Sequence, residues 1–582
     1  MQSETNEHLR DFTATPRMLQ LAAMAAVTGT MGAGAAWVLL RLIALITNLA
    51  YFGRFSIAPV NLPAHLSAWS IAIPVIGSIA IGLMARFGSE KIRGHGIPEA
   101  IEAILIGRSR IEPKIAVLKP LSSAISIGTG GPFGAEGPII MTGGALGSLF
   151  AQLFHLSAAE RKSLLVAGAA AGMTAVFGTP IAAVLLAVEL LLFEWKPRSF
   201  IPVTVAAVVA YAWRPFLIGS GPLFPYLAVV TMPWWGLGLC AVAGLIAGAQ
   251  SALLTILLYG AEDIFRRLPI HWMWWPALGG IVVGIGGWID PAVLSVGYDN
   301  IQGLLAGTLS VGAIATLLWD KALVWIVALS SGTSGGVLAP LLILGGALGA
   351  LEAHLMPLGD SGFWALIGMT AILGGTMRAP LTSTLFAVEL TGNSHLLPQL
   401  FVASVASFGF TVLVMRRSIL TERIARRGLH LTREYGVDPF DVMRVSDIMA
   451  RPVDTLSATM SVAEAAKFFA EAERHKSYPV VEETGRISAM VSRADVLRWT
   501  REGWTAGETL GDLDQEMVTA FPDELAGTLA DRMAQTGASR VPVIARDTGK
   551  LLGLVARREL LRVRALALRA EQDREGAVAL PG

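Results

Sequence analysis

Cysteine is almost missing from this 582-residue chain: Cys240 stands alone, which excludes an internal disulfide framework and fits a reduced cytoplasmic side. Charge is scarce as well. Asp, Glu, Lys and Arg make up 15% of the residues, against roughly 25% in an ordinary soluble domain. The 45 basic and 44 acidic residues leave a net charge of +1, which selects no nucleic acid or other charged partner. No His-Glu-x-x-His occurs, so the usual zinc protease signature is absent. A cleavable leader is not expected, because Met1 to Arg17 is polar and mixed in charge and the first apolar run, Met18 to Ala50, is too long for a signal core. What is abundant is apolar sequence. With 53% hydrophobic residues, 62 glycines and a mean hydropathy of +0.59, the chain reads as a polytopic membrane protein of more than one domain.

The stretch from Ile127 to Gly147 is apolar or glycine almost throughout and carries one ionisable residue, Glu136. A carboxylate at membrane depth costs a few kcal/mol or more unless it is protonated, paired or faces a watery path, so Glu136 is a functional candidate. Around it, Gly134-Ala135-Glu136-Gly137-Pro138 reads as a loop entering a helix, since proline suits a first helical turn. Helix N-termini attract anions.

The device recurs. Pro340 and the run Gly345 to Gly349 lie 202 residues after Pro138 and Gly143 to Gly147, and Pro180 to Leu190 returns as Pro380 to Leu390. Glu189 is thereby matched by Glu389, and both read as structural acids that accept backbone N–H bonds near helix ends. Two halves of one membrane domain are related by duplication, and glycine- and proline-broken segments at matching places point to a midplane site.

A third candidate helix start is Gly94-His95-Gly96-Ile97-Pro98, with free N–H donors. His95 either faces an anion path, caps a helix or lies at the surface. Lys119 either adds positive potential or snorkels to the interface. Apolar blocks are read at Trp69 to Ala85, Ser163 to Phe193, Ile201 to Val209, Val229 to Leu258, Trp272 to Ile289, Val311 to Leu329, Trp364 to Leu390 and Leu397 to Met415. Within the second of these, Ala167 to Gly172 suits close helix packing. Trp234, Trp235, Trp272, Trp274 and Trp275 mark interfacial belts, and basic residues from Arg416 to Arg433 place the end of the domain in the cytoplasm.

From about Asp441 polar residues return at helical and strand periods with a shorter repeat. Ser477 to Val481 and Gly485 to Val491 match Arg540 to Ile544 and Gly549 to Val555. Amphipathic helices are expected at Val462 to Glu473, Ala494 to Thr500, Leu525 to Gln535 and Arg558 to Arg564, with a frayed tail after Ala565.

At these residues the chain resembles the CLC family of chloride channels and chloride/proton antiporters, followed by tandem CBS domains. The resemblance implies a mainly α fold of two inverted repeats with broken helices over residues 18–430 after a polar segment 1–17. A cytoplasmic α/β CBS pair follows over 441–565 (445–500 and 508–565), then a tail over 566–582. It implies chloride as substrate, protons as a second one, a homodimer, and a multi-pass protein of the inner membrane with no required cofactor. Glu136 takes the role of gate. The anion-binding positions become His95, Gly96, Ile97 and Pro98, then Gly134, Ala135, Gly137 and Pro138, then Gly336, Val337, Leu338, Ala339 and Pro340, and Leu420. In the CBS pair Asp495 and Glu559 stand where an acid contacts the ribose of an adenine nucleotide, and both also fit as helix N-terminal acids.

Departures from the family pattern bear on mechanism. His95 replaces a serine, Leu420 a tyrosine, Ala135 a basic residue and Leu338 a phenylalanine. Leu190 stands where many antiporters carry a second glutamate that passes protons from the inside. Those losses favour a voltage- or pH-gated anion channel. The alternative is a chloride/proton antiporter that uses water, Glu194 or His95 instead, as some antiporters of the family lack that glutamate. A third class is a cation transporter or membrane enzyme under CBS control: a cation path would need clustered carboxylates in the membrane, and the usual zinc protease signature is absent. Fluoride is disfavoured by Gly137-Pro138 after Glu136.

Overall fold

The computed structural model describes residues 17–105, 109–228, 230–427, 440, 443–471, 475–502, 508–513 and 517–565. The segment before Arg17, Arg433 and the tail from residue 566 lie outside them. The chain divides into two compact units, Asp11–Glu434 and one that holds Tyr435–Gly582.

The first unit is helical. Its first half runs α1 (Arg17–Phe52), α2 (Ala72–Phe87), α3 (Ile97–Leu105), α4 (Pro113–Gly128), α5 (Glu136–Gln152), α6 (Ala158–Phe177), α7 (Pro180–Leu186) and α8 (Pro197–Leu217). The second half repeats that order as α9 (Gly236–Arg267), α10 (Trp275–Ile289), α11 (Tyr298–Ala306), α12 (Val311–Ser330), α13 (Leu338–Glu352), α14 (Ser361–Met377), α15 (Pro380–Thr391) and α16 (Leu397–Val414), and α17 (Ile419–Ala425) follows. Among the described residues seven helical stretches are long and apolar enough to cross a membrane. At 1.5 Å per residue, the 36 residues of α1 extend about 54 Å, well beyond a hydrocarbon core of about 30 Å, which calls for tilt.

Two apolar blocks that read as continuous are broken. Ser163 to Phe193 splits at Gly178 (φ 73°) before Pro180, and Trp364 to Leu390 splits at Arg378 (φ 57°) before Pro380. Proline lacks an N–H and excludes the α conformation from the residue before it, so each half-helix restarts at its proline. Past α7 the turn widens to a π-helix over Ala187–Leu192 that carries Glu189 and Leu190. Small residues set the packing. A Cβ at Gly168 would overlap the Gly143 carbonyl, and one at Gly368 the Gly345 carbonyl, so α5 meets α6 as α13 meets α14.

The second unit is α/β. A three-stranded sheet pairs β1 (Leu456–Ser457) parallel to β2 (Ser477–Val481) and β2 antiparallel to β3 (Ile487–Ser492), and a second sheet pairs β4 (Arg540–Ile544) with β5 (Leu551–Ala556). Helices α18 (Val445–Ile448), α19 (Val462–Glu471), α20 (Arg493–Glu502), α21 (Ala526–Thr536) and α22 (557–565) cover them. Each sheet has its own core, Phe469, Tyr478, Val480 and Val491 in one and Leu529, Met533, Val541 and Val555 in the other.

Candidate anion site

Three glycine loops meet by backbone bonding. Gly134 N–H donates to the Gly336 carbonyl at 3.2 Å and Gly336 N–H to the Gly134 carbonyl at 2.8 Å. Gly94 N–H donates to Thr333 at 3.0 Å, which joins the first motif to the third. The reciprocal pair is what a two-fold relation between the halves produces.

Glu136 opens α5 and is fully buried. Its Oε1 accepts the Ala339 N–H at 2.7 Å, while Oε2 has no protein partner. The acid of one half therefore docks on the first turn of α13 in the other, where N–H donors are free of intrahelical partners. A Cβ at Gly134 would overlap that carboxylate where it now lies. Ala135, Gly137 and Pro138 complete the first turn of α5, as Leu338, Ala339 and Pro340 do that of α13, with Val337 at its N-cap; all are buried.

At the first motif the structure differs from the sequence reading. Gly96 N–H is not free: it donates to Glu99 Oε2 at 3.1 Å. The three-residue spacing of a capping box was the available signal for Glu99. Glu99 also meets Arg423 Nε at 3.4 Å and Arg427 Nη2 at 3.2 Å, tying α3 to α17. His95 neither caps nor reaches the surface. It is 1% exposed with both ring nitrogens unpartnered, and it lines a cavity of about 30 Å³. Ile97 and Pro98 start α3 and are buried with it.

Lys119 does not snorkel. It is fully buried on α4, and its Nζ donates to the carbonyls of Ile92 (2.8 Å) and Gly94 (2.7 Å) and to Ser334 Oγ (3.1 Å). Lys321, 202 residues on, repeats this on the Val293 (2.8 Å) and Ser295 (3.1 Å) carbonyls. The duplication offset signals Lys321, and Tyr298, 201 residues after Ile97, opens α11 as Ile97 opens α3. The Tyr298 hydroxyl is buried without a partner, within electrostatic range of Glu136. Leu420, the second residue of α17, is fully buried and supplies no hydroxyl.

Leu190 is fully buried and apolar. Its neighbour Glu189 accepts from Thr382 N–H (2.8 Å) and Oγ1 (2.5 Å), and Glu389 from Ile181 (3.0 Å) and Ala182 (2.8 Å) N–H, so both acids cap helices. Glu194 accepts Ser199 Oγ at 2.7 Å and lies 3.9 Å from Lys162.

In the second unit Asp495 accepts from Ser492 N–H at 3.0 Å and Glu559 from Ala556 N–H at 3.1 Å, each as an N-terminal acid. Glu559 also lines a cavity of about 170 Å³ with Asp454, His475, Ser477, Arg540 and Arg558; Asp495 does not. No cluster of His, Cys, Asp and Glu fit for a metal ion occurs among the described residues.

Broken half-helices whose N-termini converge on one buried carboxylate define a membrane transport protein for anions rather than an enzyme. The family described as voltage gated chloride channel matches residues 76–411, and CBS domains match 445–502 and 510–566. The chain belongs to the voltage gated chloride channel (CLC) family, and is a CLC-type chloride transporter and multi-pass membrane protein. It is 31% identical over 365 residues to the voltage-gated ClC-type chloride channel ClcB of Salmonella typhi, covering 60% of this chain and 85% of that one. To the Shigella flexneri ClcB it is 29% identical over 398 residues, 66% and 93% of the two chains. Among solved structures it is similar to a slow cyanobacterial Cl-/H+ antiporter (TM-score 0.61, 22% identity, 71% of this chain and 99% of that one). It is also similar to a eukaryotic CLC transporter (TM-score 0.57, 18% identity, 93% and 98%) and a CLC-type fluoride/proton antiporter (0.61, 19%, 70% and 98%).

Proposed function

We propose that the protein exchanges chloride for protons and that Glu136 serves both ions. The observation that carries this reading is the docking of the buried Glu136 carboxylate on the Ala339 N–H, where an anion would otherwise sit. An anion and an ionised carboxylate compete for the same donors, and a displaced carboxylate in a buried site is relieved by taking a proton. Anion entry and proton uptake are then linked at one residue. The cyanobacterial fold neighbour, described as a Cl-/H+ antiporter, agrees with this; the curated relatives carry a channel name. Gly137-Pro138 after Glu136 supports chloride over fluoride.

A channel is the second reading, favoured by the apolar Leu190 at the inner proton position and by the missing hydroxyl at Leu420. Purified protein in liposomes under a chloride gradient separates the two, with a pH electrode read beside anion efflux. Uphill proton movement that Glu136→Ala abolishes supports exchange. Chloride efflux without proton movement supports the channel. A protein that carries neither ion overturns both.

The same reading places the transport domain at 18–430 and the CBS pair at 441–565 on the cytoplasmic side of an inner membrane, in a homodimer with one pathway per subunit. Glu559 and the 170 Å³ cavity around it are the part of the CBS pair that suits an adenine nucleotide, with Arg540, which donates to Ser477, and Arg558, which pairs with Glu559, also lining it.

A further inference from the structure

The cavity beside His95 is a second place where a proton and an anion meet, and it works with the opposite sign to Glu136. Its lining brings together His95, Arg93, Arg423, Tyr259, Glu262 and Ser330, and its volume of about 30 Å³ has room for one water molecule or one monatomic ion. Both imidazole nitrogens are buried and unpartnered there, and so is Arg93 Nε. A buried polar group without a partner costs about 1–3 kcal/mol, so two on one ring are an unusual arrangement to keep.

The surrounding charge says what would fill the space. Arg93 comes from the same loop, Glu99 from α3, Lys119 from α4, Tyr259 and Glu262 from α9, Arg423 from α17 and Arg427 from the turn after it. Arg93, Lys119, Arg423 and Arg427 thus face Glu99 and Glu262, with Glu102 paired to Arg427 and Glu90 near Arg93. Glu99 is already shared between Arg423 and Arg427, and Arg93 is held over the rings of Trp272 and Trp275 at 4.5 and 5.7 Å. Burial is the main cost of an imidazolium here; Arg423, Lys119 and Arg427 add to it and Glu99 opposes them. The ring's second proton is therefore disfavoured while the cavity holds no anion, and favoured once one enters.

We propose that His95 forms a proton-linked anion site in this cavity: chloride and a proton bind it together, the proton on an imidazole nitrogen and the chloride between that ring and Arg93. The step makes one N–H bond and breaks none in the protein; the proton comes from the solution on that side. At Glu136 a chloride displaces the acid. At His95 each ion recruits the other, and by linkage the factor by which chloride raises proton affinity equals the factor by which the proton raises chloride affinity. The proposal rests on the anion-transport reading and gives the side that lacks an inner glutamate a group able to hold a proton.

The test uses the full chain in detergent with Glu136→Ala as background, so that the gate contributes no proton. Chloride is titrated calorimetrically in buffers of differing ionisation enthalpy, which reports protons taken up per chloride bound, at pH 6 and pH 8. Glu136→Ala protein is expected to take up protons with chloride and to bind chloride about 5- to 150-fold more tightly at the lower pH, the usual range of coupling between sites. Adding His95→Gln should remove both the uptake and the pH dependence, and adding His95→Ser should do the same. Chloride binding to the Glu136→Ala protein without proton uptake overturns the proposal, as does uptake that survives both histidine replacements. A protein that passes no chloride in liposomes fails the transport reading instead, which the efflux assay reports independently.

Discussion

Glu189 and Glu389 cap each other's neighbourhoods: each acid, at the end of one half's short helix, accepts N–H groups from the first turn of the matching helix in the other half. These two carboxylates fasten the repeats to one another. A charge-assisted hydrogen bond contributes about 1.5–3 kcal/mol. Glu189→Gln and Glu389→Gln should each lower the thermal midpoint of the detergent-solubilised protein. A change of under a degree for both would show that the caps do not hold the halves.

Gly134→Ala should act on Glu136 without replacing it. The added methyl overlaps the Glu136 carboxylate and drives it off the Ala339 N–H. Chloride efflux from liposomes should rise and proton coupling fall, part of the way toward Glu136→Ala. Unchanged coupling would mean that the carboxylate has room elsewhere in the same site.

Lys119→Met and Lys321→Met remove the same buried ammonium from the two halves. Lys119→Met leaves the Ile92 carbonyl without a donor, the Gly94 carbonyl keeping the Gly335 N–H at 3.4 Å, and Lys321→Met leaves those of Val293 and Ser295, each unsatisfied buried group costing about 1–3 kcal/mol. Both variants should lose thermal stability. Only Lys119 holds the loop with His95, so only its replacement should also lower chloride flux per folded protein. Equal flux in the two variants would refute that division.

In the second unit Arg546 pairs with Asp523 at 3.1 Å, lies 4.0 Å over the Phe521 ring and holds the Asp523 carboxyl below its usual range. A lowered folded-state value adds stability above the ordinary pKa of about 3.9, and that stability is lost as pH falls through the folded value. The pair is open to solvent, so its contribution is under about 1 kcal/mol. Asp523→Asn should speed amide exchange around residues 519–546 of the full chain by less than about fivefold at pH 7, and the difference should shrink toward pH 3. A larger effect would require the pair to be shielded from water.

Much of this was legible in the chain. The offset of about 200 residues, the isolated Glu136 and the Gly-Pro motifs point to broken helices around a membrane anion site, and the duplication of Glu189 and Glu389 points to capping. What periodicity hid were events fixed by partners distant in sequence. Hydropathy runs pass smoothly through Gly178 and Arg378, although the proline two residues on was a warning. Whether Lys119 snorkels depends on where the carbonyls of Ile92 and Gly94 lie. The burial of His95 depends on α9 and α17, which contribute nothing to the local sequence around residue 95. Glu99 was readable as a capping acid but was overshadowed by the glycines beside it.

The mutual hydrogen bonds of Gly134 and Gly336 are the contact that two identical half-length proteins would make on meeting head to head. In such a pair an acid at the first position of both helices would set two negative groups against one another, each barring the other's landing place. Here position 136 keeps its glutamate while its counterpart 202 residues on is Leu338. With the acid on one half alone, the first turn of the other half is left open to receive it.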